Sequence, residues 1–242
     1  MGQVLEGESD MSGKHDVLRR LTANIETAAR LRASAKASFP ASSARAELRK
    51  WQADRLSRTH ADLLASAEYG DAARFFLTDL YGPSDLTNRD ALVQRVVPIM
   101  SRMLSAHALE VVADAIELDS LSESLDADMV EALGGDIIDV SAYARAYRQT
   151  GRQDDRARQI LLIEHLGASL DKLSRHRFIG STLAMMRKPA AAAGFGDLQN
   201  FLEKGYDSFK KMKTVKPFLD AVISREKAFS NALFAGNDPL AA

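Results

Sequence analysis

Cysteine is absent from the 242 residues, and proline and aromatic residues are scarce. A chain without cysteine has no disulfide, no thiolate metal site and no cysteine nucleophile. Only six prolines interrupt the sequence, so few positions force a helix to end. No run of 18 apolar residues occurs, and the opening MGQVLEGESDMSGKHDV has no apolar segment of secretory length. We therefore expect a cytoplasmic protein with neither a signal peptide nor a membrane partner.

Charges of one sign are missing from long stretches, although the net charge is only −1. Residues 14–58 contain 11 Lys or Arg and 4 acidic residues, and residues 103–139 contain 10 acidic residues and no Lys or Arg. Residues 151–217 are basic again, with 13 Lys or Arg and 7 acidic residues. Such blocks either pair within one fold or present opposite patches to partners. Internal pairing or solvation is the favoured interpretation, because most surface charge has no specific role.

Apolar residues recur with the helical period along nearly the whole chain, and alternating strand-like runs are lacking. The pattern predicts an all-α protein, a multi-helix bundle of about nine to ten helices with a single main core. We predict four segments, namely a disordered tail at 1–13, a basic N-terminal helical arm at 14–58, a helical core domain at 60–236 and a frayed C-terminus at 237–242. The arm either packs on the core or reaches out, and we expect it to be the main interaction element.

The segment FFLTDLYG, residues 75–82, has the densest local pattern. Its aromatic and leucine residues extend one apolar helix face, the glycine suits the left-handed residue after a helix, and the following proline prevents continuation. Asp79 is either a buried acid or, in the favoured interpretation, a half-exposed partner of a polar group. The segment therefore predicts the end of a well-packed helix, and its structural residues are Phe75, Phe76, Leu77, Asp79, Leu80, Tyr81, Gly82 and Pro83.

This segment also carries a family resemblance. Together with RDALVQRVVPIM, AIELDSLSESLD, AYARAYRQTGR and MRKPAAAAGFGDLQNFLEKGYDSF, FFLTDLYG resembles the bacterial group described as FFLEELY motif proteins. The chain departs from the name-giving string at Thr78 and Asp79, and the second change replaces one acid with another. The resemblance implies an order of helices and no chemistry, so no catalytic residue is carried over from it.

Reactive constellations are scarce. The sequence has no GxxxxGK[ST] phosphate loop, no pair of Glu-x-x-His motifs for a di-iron site and no serine in a nucleophile elbow. His107 and Glu110 are spaced so that they could share one helix face and hold a metal with ligands from elsewhere. A capping or surface hydrogen bond is the favoured interpretation of both. We therefore predict no cofactor, no metal and no catalytic residue.

Three functions stay open. The favoured hypothesis is a non-enzymatic adaptor or regulatory module with a protein partner, because charge blocks and amphipathic faces are abundant. A second hypothesis is a helical protein, enzymatic or not, that binds a small molecule or cofactor in its core. The residues that would line such a pocket are Phe75, Tyr81, Tyr143, Tyr147 and Met185, with His107, Glu117 and His165 as its polar groups.

The third hypothesis is nucleic-acid binding through a C-terminal basic cluster, since phosphates attract clustered cations. The cluster consists of Arg175, Arg177, Arg187, Lys188, Lys210, Lys211 and Lys213. An overall pI of about 6.5 and the lack of a recognition-helix pattern give this hypothesis little support. In the alternative interpretation, the cluster docks on the acidic stretch at 103–139 of the same chain.

Overall fold

The computed structural model describes residues 2–77, 106–176, 178–192, 196–237 and 239. In these ranges the regular structure is helical, without strands, and consists of α1 (Gly2–Lys36), α2 (Phe39–Thr59), α3 (Ala61–Ala65), α4 (Gly70–Phe75), α5 (Ala106–Leu133), α6 (Val140–Thr150), α7 (Gln153–Arg175), α8 (Ile179–Ala192), α9 (Gly196–Lys210) and α10 (Lys216–Phe234). The all-α multi-helix bundle with a single core, predicted from the helical periodicity, is confirmed.

Helix α10 lies at the centre of the core. It contributes Phe218 to a cluster with α3, α4 and α9, Ile223 to a cluster with α5 and α7, and Phe229 to a cluster with α2, α5 and α6. Its sequence KPFLDAVISREKAFSNALF starts with a proline in the first turn, where no intrahelical N–H is needed. Because large apolar residues recur on several sides of α10, the other helices can pack around it.

Two helix ends follow directly from local sequence. The carboxylate of Asp139 accepts a hydrogen bond from the backbone N–H of Ala142 at 2.7 Å and so caps the start of α6. Gly151, with φ of 64°, terminates the same helix in the left-handed conformation. These two residues fix where α6 begins and where it stops.

Helix α1 begins at Gly2 and includes residues 2–13, and the disorder expected of this segment from the sequence stays a prediction. No proline precedes Pro40, and nothing local stops the helix before Lys36. The predicted arm comprises the rest of α1 and most of α2, with a break at Ala37 and Ser38. The arm does not reach out, because α1 packs chiefly on α5. None of the helices described here is long and apolar enough to cross a membrane.

Candidate functional site

The described part of FFLTDLYG is a packing element. Phe75 is buried, with its ring centroid 5.2 Å from that of Phe201 on α9. The ring of Phe76 lies 5.9 Å from those of Phe209 and Phe218. Tilted aromatic contacts of this kind join the end of α4 to α9 and α10. The predictions for Asp79, Leu80, Tyr81, Gly82 and Pro83 lie outside the described residues.

The structure does not assemble the predicted core pocket. Tyr143 and Tyr147 are buried together, and Tyr143 stacks on Trp51 with ring centroids 4.0 Å apart. Phe75 packs elsewhere, against α9, and Met185 is 77% exposed. Burial raises the pKa of Tyr143, as expected for a phenol within a core. The periodicity placed these residues on helices but could not show which helices are neighbours.

The predicted polar groups do not meet in one site either. Glu117 is bound by two guanidinium groups, from Arg158 at 2.6 Å and from Arg20 at 3.2 Å. His165 is exposed on α7, and the side chain of His107 lies outside the described residues. Among the described residues, no three His, Asp or Glu side chains come close enough together to hold a metal ion.

An open cleft of about 440 Å³ runs between α1, α5 and α7. It is lined by Asp16, Val17, Arg20, Glu110, Asp114, Arg158 and His165. Pockets for small molecules are mostly apolar with a few polar groups, whereas valine is the one apolar residue in this lining. The cleft therefore gives the small-molecule hypothesis little support.

The acidic helix α5 is neutralised by the N-terminal arm. The buried carboxylate of Glu123 contacts Arg32 at 3.1 Å, Arg45 at 2.6 Å and also Arg49. Burial lowers the pKa of Arg45, and the negative charge of Glu123 raises it only in part. Three arginines from α1 and α2 thus share one carboxylate in the interior.

Further ion pairs join α1 to α5. Arg32 reaches Asp119 at 2.5 Å, and Arg20 reaches Asp114 at 2.9 Å. The acidic helix therefore pairs internally, as favoured from the charge blocks. Its main partner among the described residues is the N-terminal arm, and no described member of the C-terminal basic cluster forms an ion pair with it. Which basic block lies on α5 depends on the helix packing, and the charge pattern alone does not specify it.

The C-terminal basic cluster finds other partners. Arg175 pairs with Asp171 and Arg187 with Glu203, at 2.6 and 2.7 Å. The ammonium group of Lys211 pairs with Asp71, and that of Lys210 lies over the ring of Tyr206. For Lys188 and Lys213 the described residues provide no ion pair, and Arg177 lies outside them. With three of its members paired with acids, the cluster supports nucleic-acid binding weakly.

A buried polar group joins α2 to α10. The Arg55 guanidinium contacts Glu226 at 2.6 Å, and Nε2 of His60 lies 3.0 Å from the same carboxylate. Burial raises the pKa of Glu226, but the His60 hydrogen bond and the Arg55 charge outweigh it, so the net shift is downward. The sequence interpretation missed this group because Glu226 lies 171 positions from Arg55 and 166 positions from His60 along the chain.

Among the described residues, the most exposed apolar surface with helical spacing belongs to α8. Phe178 and Met185 are each 77% exposed, and Met186 is 46% exposed. The carbonyl of Phe178 accepts a hydrogen bond from the backbone N–H of Thr182, so Phe178 is in register with the helix. Positions seven apart lie about 20° from each other around a helix. We call Phe178, Met185 and Met186 the α8 stripe.

The α8 stripe faces away from the rest of the protein because α8 is anchored on its other side. The side-chain amide of Gln199 on α9 donates to the carbonyl of Leu183 at 2.6 Å, and the ring of Tyr206 lies against Gly180. One feature of the sequence indicates that α8 has an exposed apolar surface. Residues 178–192 have apolar residues on both faces, although only one face packs on α9.

Comparison with known proteins gives a family and no activity. No curated protein and no solved structure matches the chain. Residues 31–239 match the model of a family described as Domain of unknown function (DUF8198). Since the match spans most of the 242 residues, the chain belongs to this family of unknown function.

Proposed function

We propose that the chain is a non-enzymatic adaptor that binds a partner protein through the α8 stripe. The single observation behind this proposal is the exposure of Phe178 and Met185 on one line of a helix that is anchored on its opposite side. Contiguous exposed apolar side chains mark interaction surfaces, since leaving them in water is unfavourable. Methionine suits such a surface because its flexible side chain adapts to different partners.

The charges around the stripe indicate the chemistry of the partner. Helix α8 carries Arg187 and Lys188 and no acidic residue. Arg187 is paired with Glu203 of α9, whereas the exposed ammonium group of Lys188 has no acid beside it among the described residues. An amphipathic helix with apolar residues flanked by Asp or Glu would complement this surface. Two copies of α8 facing each other would place like charges together.

Photo-crosslinking tests the proposal in the source cells. The amino acid p-benzoylphenylalanine replaces Met185 on the stripe or, as a control, Ser224, which is exposed on α10. We expect a covalent adduct with another protein from position 185 and none from position 224. An adduct between two copies of the chain, or no adduct at either position, would contradict the proposal.

Binding measurements with the captured partner then separate charge from apolar contact. Lys188→Glu should weaken binding about tenfold, because it repels an acidic partner. Lys172→Glu is the matched control, since it reverses an exposed cation on α7. Equal effects of the two variants would show that the partner responds only to overall charge.

A further inference from the structure

The N-terminal helix covers a second surface, separate from the α8 stripe. The buried residues Leu21 and Ile25 of α1 pack on Leu109 and Ala113 of α5. This cluster contains residues of α1 and α5 alone, and the three clusters that hold the rest of the core together include no residue of α1. Helix α1 can therefore leave α5 without opening the remainder of the apolar core. Its release breaks the contacts of Arg32 with Asp119 and Glu123. Arg45 and Arg49 of α2 then remain beside Glu123.

The surface under α1 is amphipathic with an acidic edge. Its apolar part is Leu109 and Ala113, to which the half-buried Val112 and Ile116 are added. Asp114 borders this part and binds Arg20 of α1 at 2.9 Å. A helix with apolar residues at positions i and i+4 and an arginine beside the first of them fits this surface, as α1 itself does with Leu21, Ile25 and Arg20.

Two features permit α1 to move as a unit. The helix is interrupted at Ala37 and Ser38, just before Pro40, so this short connection can act as a hinge. On its other side α1 borders the 440 Å³ cleft towards α7 instead of packing tightly against that helix.

The bounds of the match to the family model also separate α1 from the surface beneath it. The match to the family model covers residues 31–239, so the α1 anchors Leu21 and Ile25 lie outside it, whereas Leu109 and Ala113 lie inside. The surface on α5 thus belongs to the family domain, and the segment that fills it here does not.

We propose that the face of α5 beneath α1 is a docking surface for a basic amphipathic helix of a partner protein. Residues 14–36 occupy this surface in cis and lower the partner's apparent affinity until the partner displaces them. The cis helix therefore acts as an internal competitor, and the apparent dissociation constant rises by the inverse of the fraction of molecules in which α1 is released.

Hydrogen exchange on the wild-type chain provides the first test. Amides of residues 17–28 should exchange at least about tenfold faster than those of residues 218–229 in α10, through an opening that leaves the core intact. Exchange of both segments in one cooperative unit would overturn the proposal, because α1 would then be inseparable from the core.

A peptide in trans provides the second test. The Leu21→Asp/Ile25→Asp variant of the full chain should release α1, and a fluorescent peptide of residues 13–37 should then bind it with 1:1 stoichiometry. Wild type should bind the peptide at least about tenfold more weakly, since its own α1 fills the surface. The matched control is Thr22→Asp/Ala23→Asp, which places two aspartates on the exposed face of α1 and should behave as wild type.

The remaining outcomes also decide the matter. A Leu21→Asp/Ile25→Asp variant that keeps its helical circular dichroism and does not bind the peptide overturns the proposal. If this variant does not fold, the hydrogen-exchange rates of the wild-type chain decide whether α1 opens separately from the core. Wild-type dimers that exchange α1 at micromolar concentration would overturn the proposal in favour of a second copy as the occupant.

Discussion

At the residue scale, Glu123 is the acid on which the arm depends. Arg32, Arg45 and Arg49 all contact its carboxylate, which is almost completely buried. The net value of a buried ion pair is small because of desolvation, but removal of one partner leaves the other charge uncompensated. The three guanidinium groups could then compensate only through the neighbouring aspartates.

Glu123→Gln should therefore lower the free energy of unfolding by about 3–5 kcal/mol. Urea denaturation followed by circular dichroism measures this change. The control is Glu131→Gln, which removes an exposed acid from the same helix and should change the stability by less than about 0.5 kcal/mol. Similar losses for both variants would mean that the charge of α5 as a whole matters and that the site of Glu123 does not.

Glu226 links stability to pH. Its pKa in the folded protein lies below the ordinary value of 4.5, so folding favours the ionised carboxylate. The stabilisation is fully present above about pH 4.5 and is lost as the pH falls through the lower pKa of the folded state. Thermal unfolding at pH 6, 4 and 3 should show a shallower acid destabilisation for Glu226→Gln than for wild type. An equal fall in melting temperature on acidification for wild type and Glu226→Gln would contradict the link between this pH dependence and Glu226.

At the element scale, the closeness of α7 and α10 depends on a glycine. A Cβ atom on Gly167 would lie 2.3 Å from Cδ2 of Leu219 on α10 and 3.3 Å from its Cγ. Separations this short force a side chain or a helix to move.

Gly167→Ala should destabilise the protein by about 1–3 kcal/mol, even though alanine is the better helix former by about 1 kcal/mol. The comparison is Gly13→Ala in α1, where no atom lies within 4 Å of the added methyl group, so stability should be unchanged or slightly higher. Chemical denaturation of both variants gives the two values. A stabilised Gly167→Ala variant would show that Leu219 adapts without cost.

At the scale of the whole molecule, the sites that stabilise the fold and the proposed binding surface are separate. Phe178→Asp/Met185→Asp places charges where both side chains already meet water. We expect the free energy of unfolding to change by less than about 0.5 kcal/mol and binding of the crosslinked partner to be lost. A loss of stability comparable to that of Glu123→Gln would show that other parts of the protein cover the stripe in solution.

Much of the fold could be predicted from sequence, and much less of the candidate site. Gly151 is a helix-ending glycine that local sequence suffices to explain, and Phe75 and Phe76, on the apolar face of FFLTDLYG, pack against α9. The structure does not bring Tyr143 and Met185 of the predicted pocket together, since Tyr143 is buried beside Trp51 and Met185 is exposed on α8. Periodicity assigns a residue to a helix face but does not state which face another helix will cover.

The sequence by itself determined the all-α class, helix ends such as those of α6 and the three blocks of charge, because these depend on residues close together along the chain. The tertiary structure decided which basic block neutralises α5, how His60 and Glu226 meet across 166 positions, and which apolar face stays in water. An ion pair forms only where packing brings its two helices together. Both proposed surfaces are therefore features of the packing, while the side chains that form them were already present in the helical pattern.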